Sequence, residues 1–218
     1  LRFGLPSGLN WMVSYAAFMF FLDVVVADLG TPTLAGTMAV LQINSISFLP
    51  AMGIAAAGAV YVGRAIGADR RDDVPAIVAL TLRVAAVWMG VVGAAYLLAP
   101  EALLHAFATA EGAALTEVGT RLLLASAAWQ LFDAGATTWA AALRAAGDTA
   151  WSTWASLVVD WLLFVPGSLA ATRWLGGGDI AAGFSLVAYL GVLAAVLGLR
   201  FRSGRWRRFD VLEPTLAA

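Results

Sequence analysis

The sequence predicts an all-α membrane protein of six transmembrane helices, on three observations: its composition, its apolar runs of spanning length, and the sorting of its arginines between loops. Of 218 residues, 61% are hydrophobic and only 12% charged, and the mean hydropathy is +0.85. A soluble domain carries about 25% charged residues. With no cysteine, disulfides and thiolate metal sites are excluded, and the single histidine, His105, cannot build a zinc or iron site alone. No nucleic-acid partner and no cofactor are expected.

Six apolar stretches, each long enough for a hydrocarbon core about 30 Å thick, can be cut at turn-forming or charged breaks. They cover residues 5–26, 34–62, 76–98, 115–143, 151–175 and 180–199, within a lobe over 1–208 that is followed by a cytoplasmic tail, 209–218. The breaks have their own chemistry: Gly30 and Pro32 in "ADLGTPT", Pro75 ending "GADRRDDVP", Gly147 in "RAAGDT" and the glycine turn "LGGGD". All thirteen basic residues are arginine. With sides assigned alternately, one face receives Arg2, Arg64, Arg70, Arg71, Arg144, Arg200, Arg202, Arg205, Arg207 and Arg208, with Arg83 nearby, and the other only Arg121 and Arg173. By the positive-inside rule both termini are cytoplasmic, in a bacterial inner membrane; five or seven helices would scatter the arginines over both faces. Trp151, Trp154, Trp174 and Trp206 fit interfacial belts. Between the third and fourth helices, "EALLHAFATAEGAAL" is too short to span, and Leu103, Leu104 and Phe107 suit a short helix on the outer interface, with His105 an exposed loop residue.

The chain opens at Leu1, almost directly on the first helix, as a fragment or half would.

Polar residues inside these helices point to transport. Asp133 lies in "SAAWQLFDAGATTWAAALR", with no basic residue nearer than Arg121 and Arg144. A carboxylate at the centre of a spanning helix costs about 2.5–3.5 kcal/mol on insertion scales, so it is retained where it meets water, an ion or a substrate. It stands ten residues before Leu143, about 15 Å from the cytoplasmic end at 1.5 Å per residue, near the midplane where secondary transporters place their sites. Ser126, Gln130, Asp133, Thr137 and Arg144 form one stripe of the fourth helix, expected to face a cavity or a partner because lipid offers no hydrogen bonds; Gln130 and Asp133 bonding neighbouring helices is the alternative. Asp160, nine residues past Trp151, falls at nearly the same depth and can share a proton or cation with Asp133 if the two helices face each other. Asp23 is interfacial.

The second helix carries Gln42, Asn44, Ser45 and Ser47 just before Pro50, which removes a backbone bond and either exposes a carbonyl to a cavity or makes a packing kink or hinge. Pro166 and Gly167 mark a second kink. Gly53, Ala57, Gly63 and Gly67 give the small-residue spacing of close helix approach. The second and fourth helices end alike, in "GRAIGAD" and "LRAAGDT", each with an arginine in the last turn and a glycine three residues later as a left-handed stop.

"FGLPSGLNWM", "QINSISFLPAMGIAAAGAVYVGRAIGA" and "WQLFDAGATTWAAALRAAGDT" resemble the carboxyl-terminal half of the multidrug and toxic compound extrusion (MATE) family of cation-coupled exporters, over Arg2 to about Arg208. That resemblance implies one six-helix lobe of a two-lobe exporter, the lobes being related by a pseudo-twofold along the membrane normal. The partner is then a missing amino-terminal lobe or a second copy. It also implies antiport of protons or sodium against organic cations and other amphipathic compounds, with no enzyme activity. Asp133 falls where the family binds its coupling cation, so a transient sodium there is the only metal expected, and Gln130 lies beside it. Arg144, Gly147 and Asp148 match the loop after that helix, whereas Ser14 stands where many members carry a glutamate. Losing that carboxylate favours proton coupling through Asp133 or a site shared with Asp160. Gln130, Thr137, Gln42, Asn44 and Ser14 are the candidate cavity or substrate-binding residues. A lipid-precursor flippase of related fold would need more basic residues in its cavity, and a scaffold half that transports nothing alone is the other alternative.

Overall fold

The computed structural model describes residues 4–105, 112–174 and 176–209. Arg2, Phe107 and all of the expected tail but Phe209 lie outside them. Among the described residues every regular element is helical. The first span is α1 (Gly4–Phe20), continued by a π-helical stretch Phe21–Val26 and a 3₁₀ turn Ala27–Leu29. The second is α2 (Thr31–Gly67) and the third α3 (Val74–Leu98), followed by the short α4 (Pro100–His105). The fourth is α5 (Gly112–Ala145). The fifth runs through α6 (Thr149–Val158), a π-helical stretch Val159–Phe164, α7 (Val165–Leu169) and a second π-helical stretch Ala170–Trp174. The sixth is α8 (Gly178–Arg202), and a 3₁₀ turn Arg205–Arg208 follows.

Five of these spans are long and apolar enough to cross a membrane by length and composition, α5 being the exception. Its place explains why. α5 is the axis of the lobe, packed against α2, α3 and α8, so neighbouring helices rather than lipid cover much of it. Its 34 residues extend about 51 Å at 1.5 Å per residue, ample for a bilayer. The chain is therefore a multi-pass membrane protein whose polar helix is central.

Helix packing in lipid depends on close contact, since lipid tails are as apolar as leucine. At the arginine-rich end Val62, Ile66, Val78, Leu143, Leu197, Phe201 and Trp206 form one core; Phe21, Leu22, Phe164 and Leu186 form another, towards the opposite end. The close approach of α2 to α3 is at Gly58, where an added Cβ would stand 2.4 Å from the Thr81 hydroxyl. The expected contact along Gly53, Gly63 and Gly67 is absent within the lobe: none has a neighbour within 4 Å of its would-be Cβ, and that face of α2 is exposed.

Both helix ends at the arginine-rich side close with left-handed residues, on different registers. Gly147, φ 86°, ends α5, with the Asp148 amide donating to the Leu143 carbonyl at 2.9 Å. In α2 the left-handed residue is Asp69, φ 58°, and not the expected Gly67, because the helix runs two residues further before the Arg70 amide reaches the Ala65 carbonyl. Beside Gly147, Asp148 is 1% exposed and receives Arg200 Nε at 2.7 Å and a terminal Arg200 nitrogen at 3.2 Å; the guanidinium also lies 4.7 Å from the Trp151 ring. Trp206 is buried, not interfacial: it stacks on Phe201 and donates to the Phe201 carbonyl. Trp154 and Trp174 are exposed. Leu104 is likewise a core residue, against Gly119 of α5, where a surface position was expected; His105 is exposed.

Candidate functional site

α5 divides the polar interior in two. On the side of α2 and α3, Gln130 is 1% exposed and its amide nitrogen donates to Asn44 Oδ1 at 2.7 Å. Asn44 Nδ2 donates back into its own helix, to the Val40 carbonyl at 3.0 Å. Ser47 donates to the Asn44 carbonyl at 2.8 Å and lies 3.3 Å from Gln130 Oε1. From α3, Trp88 Nε1 donates to the Ser47 carbonyl at 3.0 Å and the Tyr96 hydroxyl to the Ile43 carbonyl at 3.2 Å. Each polar group here is neutral and has a partner inside the lobe. Gln130 and Asn44, expected to line a cavity, are thus held between helices, while Gln42 is exposed. Pro50 sits within the continuous α2, one turn beyond this network, and the indole of Trp88 ties down the carbonyl next to the one its ring leaves without a donor.

The carboxylates stand outside this network, with no hydrogen bond to it among the described residues. Asp133 is partly buried, and its Oδ1 accepts from Thr137 Oγ1, one turn along the same helix, at 3.2 Å. The stripe of α5 therefore splits: Ser126 and Gln130 are enclosed, Asp133 and Thr137 are partly open, and Arg144 is exposed.

Asp160 is 2% exposed and sits in the π-helical stretch of the fifth span. Such single wide turns re-aim side chains and recur at functional sites. Here the turn directs the carboxylate at α1, where Ser14 Oγ donates to Asp160 Oδ2 at 2.5 Å; Trp161 Nε1 donates to the Val13 carbonyl beside it. Asp160 Oδ1 is buried without a hydrogen-bond partner. The two carboxylates do not bond each other. Tyr189 of α8 packs its ring 4.7 Å from that of Phe164, in the same π-helical stretch as Asp160. Pro166 follows this wide turn and precedes the second, so the fifth span bends through alternating π and α geometry around it. Asp23 is exposed, away from this cluster.

Tyr189, Trp88 and Tyr96 were not singled out by sequence reasoning. Each is an amphipathic ring in an apolar helix, and only the polar neighbours supplied by other helices reveal which of them face the interior.

The family model described as MatE matches residues 6–169. The chain belongs to the MatE family. Its relatives include a probable multidrug resistance protein NorM of Pseudomonas putida, 30% identical over 94% of this chain and 44% of the relative, and one of Thermotoga maritima, 25% identical over 97% and 45%. This MatE chain thus spans less than half the length of the curated relatives it matches. Among solved structures, an outward-facing multidrug resistance MATE transporter of the MOP superfamily superposes with a TM-score of 0.84 at 20% identity, covering 94% of this chain and 46% of that one. A MOP superfamily transporter from Pyrococcus furiosus gives 0.76 at 15% identity, covering 92% and 44%. The fold found here matches a little under half of each of these structures.

Proposed function

We propose that this chain is the carboxyl-terminal lobe of a cation-coupled exporter of organic cations and other amphipathic compounds. It works with an amino-terminal lobe or a second copy of itself, in a bacterial inner membrane with both chain ends cytoplasmic. The reading is carried by Asp133, a partly open carboxylate on the central helix whose hydrogen bond comes from Thr137 of its own helix. Among the described residues no ion-pair partner from another helix neutralises it, so its charge is available to a coupling ion, a proton or sodium. Gaining or losing that ion changes the energy of exposing the group to either side, which biases the lobe between its two access states. The satisfied network beside it, on α2 and α3, gives α5 a firm backing. The names of relatives as multidrug resistance proteins support the substrate class.

The test is efflux of a cationic dye by the complete transporter in liposomes, driven by a proton or sodium gradient, for wild type and Asp133→Asn. Loss of gradient-driven efflux with dye binding retained is expected. Unchanged coupled efflux removes Asp133 from the mechanism.

A further inference from the structure

We infer that the arginine-rich end of the lobe binds the phosphodiester headgroup of an anionic phospholipid, through Arg202 at the end of α8 and Arg205 and Arg208 of the 3₁₀ turn that follows. The site requires only that the lobe spans a bilayer, whatever the chain transports. These three side chains are exposed, and none of the ion pairs of the described residues includes them. Their neighbours are engaged. Arg200 holds Asp148, Arg207 donates to Asp72 at 2.7 Å, and Arg70 lies 3.7 Å from Asp73. Asp72 and Asp73, in the adjacent loop between α2 and α3, are thus already taken.

The turn is held at the height of the helix end. α8 stops at Arg202, and Gly204, φ 68°, reverses the chain. Trp206 then folds back: it is buried, stacks 5.5 Å from Phe201 and donates to the Phe201 carbonyl at 3.0 Å. On the other flank Arg71 donates to the Arg207 carbonyl and Arg207 to Asp72, which stitches the turn to the loop between α2 and α3. Residues three apart in a 3₁₀ turn eclipse each other, so Arg205 and Arg208 leave it on one side. Guanidinium groups present paired donors that match phosphate oxygens, and a pinned backbone lowers the cost of ordering them. The surface leading to them is apolar. Gly183 and Gly198 of α8 lie against Leu122 and Trp139 of α5, whereas Phe184, Ala188, Ala195 and Leu199 are exposed in a row, at the spacing of one helix face, that ends at Arg202. Phe209, next to Arg208, is exposed as well. An acyl chain suits the row and a phosphate its charged end, the two parts of a phospholipid; a soluble phosphate would use only the second.

The test is native mass spectrometry of the complete transporter in detergent, titrated with phosphatidylglycerol and separately with phosphatidylcholine. The first phosphatidylglycerol should bind wild type at least about fivefold more tightly than the first phosphatidylcholine, which is what one basic residue near an anionic headgroup contributes. Replacing the three together, Arg202→Gln, Arg205→Gln and Arg208→Gln, should bring the two affinities level with melting unchanged, since none of these side chains holds the fold together. A control carrying Arg64→Gln, Arg83→Gln and Arg144→Gln loses as many exposed charges and should keep the preference. Equal loss in both variants overturns the site in favour of diffuse attraction, and a wild type without preference overturns it outright. Should millimolar inorganic phosphate raise the melting temperature of wild type but not of the first variant, while phosphatidylglycerol shows no preference, the occupant is a soluble phosphate and the lipid is overturned.

Discussion

The two polar clusters flanking α5 have the same setting and opposite chemistry. Towards α2 and α3, Gln130, Asn44, Ser47, Tyr96 and Trp88 are neutral and donate into one another or into carbonyls. Outside that network, Asp133 and Asp160 carry acceptors that hydroxyl groups only partly fill. A closed network fixes one arrangement of helices, because any movement breaks bonds that lipid cannot replace. An open one has more than one way to be completed, and a bound proton or cation would decide which. Satisfaction, more than polarity, separates the two clusters in this lobe.

The widest separation should come from Asp133→Asn. It keeps the shape and the Thr137 contact, so gradient-driven efflux should fall by at least about a hundredfold with little change in thermal unfolding in detergent. Gln130→Leu is the mirror image: it strands Asn44 Oδ1 in the interior and should cost about 1–3 kcal/mol of stability, while the protein that remains folded still couples. Adding Asn44→Leu removes the stranded group and should restore part of that loss in the same melting assay. Finding the Gln130→Leu protein stable but uncoupled would move Gln130 from scaffold to site. A smaller effect belongs to Thr137→Val, which takes one hydrogen bond from Asp133 and should shift the midpoint of ion-driven efflux by no more than about tenfold. Smallest is Asp23→Asn, an exposed acid on the first span, where efflux and melting should both match wild type.

The all-helical membrane fold was readable because a bilayer constrains sequence tightly: spanning length, apolar composition and arginine placement each register in one dimension. The helical stripe containing Gln130, Asp133 and Thr137 was readable for the same reason, since a period of 3.6 assigns residues to a face. What periodicity lacks is the identity of the facing helix. Gln130 meets Asn44 across 86 positions and Asp160 meets Ser14 across 146, and only packing decides that the first pair closes a network and the second leaves an oxygen open. The π-helical turn that aims Asp160 is a departure from regular period, so a reading based on that period passes over it. Small residues mislead similarly: "GxxxG"-like spacing on α2 lies on the exposed face, while the contact falls at Gly58, one residue past the expected Ala57. Trp206 looked interfacial because tryptophan often is; the stacked Phe201 beneath it comes from the fold.

The pairing of Asp148 with Arg200 bears on how the lobe is made. These partners are 52 positions apart, and the aspartate is enclosed at the turn between α5 and α6. While a nascent chain is still being threaded into the membrane, that turn is complete long before the ribosome releases its counter-charge. Locking of the arginine-rich end therefore waits until Arg200 has been made, and a polypeptide terminated ahead of Arg200 inserts without locking, leaving quality-control proteases an unfinished edge to grasp.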